Sequence, residues 1–170
     1  ERFLSSQKPI PIISSVTEKI FPQATSPQKQ TITLFATGDI MLGRSINTKI
    51  QKTQNFTFPF EKIKSSFNIA DLVVVNLESP FGENCPQTDT GMVFCADQRS
   101  VIGLKSMYVT HANLANNHIS NQGTNGILHT KDTLLKNNIT SVGLSTGSGV
   151  IISQIKNTKV ALLGFNDIPP

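Results

Sequence analysis

Apolar residues in this chain gather into short runs that stop at polar clusters, and the alternation predicts the elements. Thr31 to Thr37 (Thr-Ile-Thr-Leu-Phe-Ala-Thr) is β-rich and predicts a first strand ending at Gly38-Asp39, with Ile40-Met41-Leu42-Gly43-Arg44 beginning the next element. Pro59 opens a predicted helix in which Phe60, Ile63 and Phe67 recur at helical spacing. After Asp71, Leu72-Val73-Val74-Val75 is the continuous apolar run of a strand covered on both faces, and it stops at Asn76-Leu77-Glu78-Ser79-Pro80. Asp97 is placed to cap a helix carrying Val101, Leu104 and Tyr108 on one face. Val109 to Leu114 predicts a third strand that runs into Ala115-Asn116-Asn117-His118. A helix over Gly126 to Asn137, with Ile127, Leu134 and Leu135 inward, leads to a short strand from Ile139 to Leu144. Val150 to Ile155 and Lys159 to Phe165 then pair across Lys156-Asn157-Thr158 as a hairpin. Strands alternating with helices predict an α/β fold: a mostly parallel sheet flanked by helices, with one antiparallel pair near the end.

Residues 1 to 30 break this pattern. They hold four prolines with many Ser, Gln and Lys, which predicts a flexible stalk ahead of a single domain over 31–170. The tail also accounts for part of the modest hydrophobic fraction, 38% over 170 residues. No stretch of apolar residues is long enough to cross a membrane. The chain begins at Glu1 without an initiator Met, so a processed product with an upstream signal or anchor is expected. Net charge is +4, but the basic residues are scattered, Trp is absent and there is one Tyr, so no nucleic-acid partner is expected. Cys85 and Cys95 flank a turn-like segment, expected as a hairpin. They are read as a disulfide, with two free thiols as the alternative, and a disulfide implies an oxidising compartment. The Gly-Leu-Ser-Thr-Gly-Ser-Gly run at 143–149 lacks a P-loop lysine and reads as a loop.

The chemistry concentrates where the strands end. Gly38-Asp39, Asn76-Leu77-Glu78 and Asn116-Asn117-His118 each follow an apolar run; 39 residues separate Asp39 from Glu78 and 40 separate Glu78 from His118. Each spacing approximates one strand-helix-strand unit, and right-handed crossovers bring equivalent strand ends to one edge. Two carboxylates, a carboxamide and an imidazole form a mixed oxygen and nitrogen set suited to Mn, Mg, Zn or Fe. Taken singly, each residue has a plainer role: Asp39 as a helix cap, Glu78 as a surface carboxylate, Asn117 in a left-handed turn, His118 in packing. His111 and His129 are expected in the core and at a partly buried helix face.

The order Gly-Asp-Ile-Met-Leu-Gly-Arg, Asn-Leu-Glu-Ser-Pro, Leu-Ala-Asn-Asn-His, over residues 31 to about 167, resembles the CapA-type family of capsule or poly-γ-glutamate synthesis proteins. These are similar to calcineurin-like metallophosphoesterases. The resemblance implies the N-terminal part of an αββα sandwich with a dinuclear metal site at the strand ends. It implies Asp39 and Glu78 as ligands, Asn117 as a ligand of a second ion and His118 as general acid. Asn76, Arg44 and Asn116 would be supporting or substrate-facing. Two departures stand out. Asn121 occupies the place of a usual Asp three residues after the His, and the family continues for roughly another hundred residues with further His ligands. A truncated or shortened chain with an incomplete site is therefore expected.

Two functions compete on these grounds. One is a metal-dependent hydrolase acting on phosphoester or amide bonds of a cell-surface polymer. The other is a non-catalytic, extracytoplasmic component that binds an anionic polymer within a membrane-bound capsule machinery. A cytosolic phosphatase fits the tail and the paired cysteines less well.

Overall fold

In the computed structural model of the protein, which describes residues 30–144 and 149–168, four parallel strands form the central sheet in the order β1-β2-β5-β6. These are β1 (Leu34–Ile40), β2 (Leu72–Leu77), β5 (His111–Asn113) and β6 (Thr140–Val142). Three helices accompany them: α1 (Arg44–Thr53), α2 (Val101–Ser106) and α3 (Gly123–Lys136). Two residue pairs, β3 (Phe81–Gly82) and β4 (Ala96–Asp97), make a small separate ladder. The strands β7 (Val150–Ile155) and β8 (Thr158–Leu163) form the antiparallel hairpin expected from the sequence. The chain divides into Glu1–Gln30 and Thr31–Pro170. The stalk expected over 1–30 (Gln30 apart) and most of the 143–149 loop fall outside the described residues.

Strand β2 lies between β1 and β5, and its apolar run is why: Leu72, Val73, Val75 and Leu77 are buried to 1% exposure or less. Val73, Val75 and Leu77 join one core with Leu104, Met107, Ala112, Leu114 and Leu134. At about 2–5 kcal/mol per truncated core leucine, this interior fixes the sheet and leaves the strand ends free to carry polar groups.

Several expected elements differ. The first strand does not stop at Gly38 but continues through Asp39 and Ile40. The helix expected after Pro59 is two short 3-10 turns, Phe58–Phe60 and Lys64–Phe67. Of its supposed stripe only Phe60 is buried, while Ile63 is 46% exposed, and a short helix without a covered face has nothing to sustain it. The cysteine segment is not a hairpin, since β3 and β4 run parallel. The carbonyls of its intervening loop bond to side chains of α1 instead of to a facing strand. Tyr108 lies beyond the end of α2 with φ 57° and is 54% exposed, off the expected face. Helix α3 starts earlier than expected and buries Gly126, Thr130, Thr133 and Leu134, leaving Leu135 73% exposed. Thr130 suits this face because its Oγ1 donates to the Gly126 carbonyl and accepts from the Phe81 N–H. Asp97 does cap, accepting from the Arg99 N–H at a 3-10 turn (Gln98–Ser100) that leads into α2. Burial pushes the Asp97 carboxyl up, but the hydrogen bonds from Arg99 outweigh it and hold Asp97 below the usual carboxylate range.

Candidate functional site

Asp39 on β1, Asn76 on β2 and Asn113 on β5 are aligned partners across the sheet, one polar residue on each of three neighbouring strands. A bulge sets this alignment. Ala36 pairs with Val74 and Asp39 with Asn76, so Thr37 and Gly38 together face one residue of β2. Without the extra residue Gly38 would oppose Asn76 and Asp39 would point to the other face. Gly38 has nothing within 4 Å of where a Cβ would stand.

The rung is wired by hydrogen bonds. Asp39 Oδ1 accepts from Asn76 Nδ2 at 2.7 Å. A carboxylate only accepts, which fixes the Asn76 amide with its oxygen toward β5. That oxygen accepts from Asn113 Nδ2 at 2.9 Å and from Asn116 Nδ2 at 3.2 Å. Asn116 is nearly buried; it donates to the Leu77 carbonyl at 3.0 Å and accepts from the N–H groups of His118 and Ile119. Asn116 thereby ties the end of β2 to the turn that follows β5. Gly164 passes so close to Asn113 Oδ1 that a Cβ there would collide with it.

Glu78 stands just beyond β2, its N–H donating to the Ile40 carbonyl at 3.1 Å. Its carboxylate has no hydrogen-bond partner among the described residues. Next to it, the hydroxyl of Ser79 is buried and accepts from the N–H groups of Leu42 and Gly43, pinning the turn after β1.

His118 is half-buried, with its ring stacked on Phe94 at 4.2 Å between centroids. Its Nδ1 lies 3.2 Å from Asn121 Oδ1, the atom that also accepts the Phe94 N–H at 2.7 Å. An N–H can donate only to the amide oxygen, so Asn121 presents oxygen to the ring and the neutral ring carries its proton on Nδ1. Nε2 is left with a lone pair and has no partner among the described residues. Asn121, at the place where the family usually has an Asp, puts its amide oxygen against the ring without adding charge.

The other named residues divide. The side chain of half-buried Asn117 has no hydrogen bond among the described residues. Arg44 turns away from the strand ends, its guanidinium donating to the Asp89 carbonyl at 3.0 and 3.3 Å, so it acts on the cysteine loop. Cys85 and Cys95 form the expected disulfide, with Cα atoms 5.3 Å apart. His111 is in the core, as expected, bonded to Thr110 Oγ1 and Ser153 Oγ, and burial lowers its pKa. His129 is half-buried on α3. A cleft of about 330 Å³ opens beside Asp39, walled by Met41, Leu42, Phe60, Phe67 and Met107.

Asn113 and Phe94 were not identified from the sequence as site residues. For Asn113 a signal was present: Asp39 to Asn76 and Asn76 to Asn113 are both 37 residues, the repeat of one crossover unit. Nothing in the sequence marks Phe94, because its contact with His118 joins two separate segments of the chain.

These donors have the chemistry of a hard or borderline metal site, but they do not close one by themselves. Among the described residues no three His, Cys, Asp or Glu side chains lie close enough together to hold an ion. What they define is a parallel α/β sheet with its polar groups gathered at the carboxyl ends of three strands, the edge where such sheets take ligands.

Similarity places that edge in a family. Residues 33–169 match the family described as bacterial capsule synthesis protein PGA_cap, and the chain belongs to it. It is 32% identical over 138 residues to the PGA biosynthesis protein CapA of Bacillus subtilis (strain 168), an alignment covering 77% of this chain and 36% of that protein. It is 26% identical over 157 residues to the capsule biosynthesis protein CapA of Bacillus anthracis, covering 85% of this chain and 38% of the relative. The chain thus spans little more than a third of the length of either relative. No helix among the described residues is long and apolar enough to cross a membrane.

Proposed function

We propose that this chain carries the strand-end edge of a metal-dependent hydrolase in capsule or poly-γ-glutamate biosynthesis, acting on phosphoester or amide bonds of an anionic cell-surface polymer. The observation that carries the reading is the Asp39–Asn76–Asn113 rung, with Glu78 and His118 at the same strand ends. Asp39, Glu78 and Asn117 are the proposed ligands for one or two divalent ions (Mn, Mg, Zn or Fe), with donors outside the described residues completing the set. An ion held there would supply positive charge to the scissile group and an acidic bound water. The chain's own residues do the rest. Asn76 holds Asp39 aimed, and its Oδ1 accepts from the amides of Asn113 and Asn116. His118, with Nδ1 held by Asn121, takes up a second proton at Nε2, and the imidazolium delivers that proton to the leaving group. The proposed setting is extracytoplasmic, anchored at the cell surface beside a membrane-bound capsule machinery. The buried disulfide supports an oxidising compartment.

The second reading is a non-catalytic polymer-binding or scaffold component. It is favoured by the absence of a three-donor cluster among the described residues and by the uncharged partner of His118.

Hydrolysis of a generic phosphodiester by the full-length protein in added manganese separates the two. The hydrolase reading predicts turnover that falls about a hundredfold or more in Asp39→Ala and in His118→Ala. Turnover that survives both changes, or is absent from metal-loaded wild type, rejects it in favour of the binding reading.

A further inference from the structure

We propose that Phe94 and Asn121 are positioning residues for His118, and that the Cys85–Cys95 disulfide is the element that keeps them engaged. The proposal deepens the reading of His118 as the proton-carrying group and rests on it for its functional meaning. The positioning itself is a statement about geometry.

One oxygen does two jobs. Asn121 Oδ1 accepts the Phe94 N–H at 2.7 Å and faces His118 Nδ1 at 3.2 Å, so the backbone of the cysteine loop and the imidazole share an acceptor. The next residue, Gln122, donates its amide to the Phe94 carbonyl at 2.9 Å. Both polar groups of the Phe94 backbone are therefore held by side chains of the 3-10 turn that follows His118 (Ile119–Gln122), while its ring covers one face of the imidazole. Phe94 is 4% exposed, so the ring has a single place to be.

The loop bearing Phe94 is held from its other side. Arg44, Asn47, Thr48 and Gln51, at helical spacing on α1, donate to the carbonyls of Asp89, Pro86, Thr88 and Cys85. Gly43, just ahead of that helix, passes so close to the loop that a Cβ would lie 3.3 Å from Phe94 Cβ and 3.4 Å from the Cys95 N and O atoms. Cys95 follows Phe94 directly, and its bond to Cys85, ten positions earlier, closes the loop. Opening the disulfide frees the segment that ends in Phe94, and the free loop costs Asn121 one of its two partners and His118 its stack. A structural disulfide remote from the site would lack this link.

The test is the side-chain NMR of His111, His118 and His129 in the full-length protein, with His118 assigned by its loss in His118→Gln. Oxidised wild type should show His118 with its proton on Nδ1 and its ring protons displaced upfield by the Phe94 ring. In Cys85→Ser/Cys95→Ser the displacement should collapse while the His111 and His129 signals stay in place. If His118 keeps both signatures in that variant, the disulfide does not hold the clamp and the proposal fails. Should the serine pair unfold the protein, as His111 and His129 would report, Gln122→Ala tests the same claim from the other side. It should weaken the displacement, and an unchanged spectrum overturns the proposal. Asn121→Leu should release the Nδ1 proton preference and Asn121→Asp should restore it. Failure of the hydrolase reading would leave these spectra intact, whereas unchanged spectra beside intact turnover would reject the clamp alone.

Discussion

Strand β2 begins beside one carboxylate and ends beside another, and the two are treated differently. Asp71, just before Leu72, takes a 2.8 Å ion pair from Lys156 and a 2.9 Å bond from the Thr33 N–H. The Lys156 ammonium first, and then that N–H, hold Asp71 below the usual carboxylate range. Glu78, just after Leu77, has no such partner among the described residues, and at this end the amides of Asn113 and Asn116 donate to Asn76. One end of the strand is neutralised and closed by the β7–β8 turn. The other presents acceptors and a bare imidazole nitrogen. The difference separates a strand end whose carboxylate is paired from one whose carboxylate is not.

The contrast can be broken most severely at Asn76. Asn76→Leu leaves Asp39 Oδ1 and the amides of Asn113 and Asn116 without their common partner, and should lower unfolding free energy by about 1–3 kcal/mol in chemical denaturation. A change within the error of that experiment would mean the rung is not a connected network.

At the closed end, His111 should report pH. Burial holds its pKa below the ordinary value of about 6.5, so the unfolded chain takes up the proton first. Stability from this group is fully present above that ordinary value and should decline as pH falls through the folded one, by at most about 1.4 kcal/mol per pH unit. His111→Leu should flatten the decline between pH 7 and 5, measured as thermal midpoint against pH.

The smallest effect is expected at Asp71. Its folded pKa is depressed, so its contribution is present above the ordinary carboxylate range and is lost as pH falls through the folded value. Lys156→Met should lower the thermal midpoint slightly at pH 7 and not at all in acid, shrinking the acid loss by that same small amount, because an exposed pair contributes little.

Much of this was legible from the chain. The buried run Leu72–Val75, the spacing of the polar clusters and the β7–β8 pair follow directly from patterning, because each is set by local sequence and a crossover length. What escaped depends on contacts between distant segments. Helical spacing at Phe60, Ile63 and Phe67 promised a face that the fold never covers at Ile63. The bulge at Thr37-Gly38 decides which face Asp39 occupies, and no propensity announces it. The cysteine loop looks like a hairpin until α1 is seen to take its carbonyls. Asn121 stood out only as a departure from a usual Asp, and its bond to the Phe94 N–H could not be read from the chain.

The central claim is that the end of β2 beside Glu78, and not the end beside Asp71, binds a divalent ion. Calorimetric titration of manganese into the full-length protein tests it directly, comparing wild type with Glu78→Ala, Asp39→Ala and Asp71→Ala. The account predicts that the first two variants lose at least tenfold in affinity, keep their thermal midpoints close to wild type, and that Asp71→Ala binds as wild type does. Equal affinity in all four proteins, or a loss confined to Asp71→Ala, would contradict it.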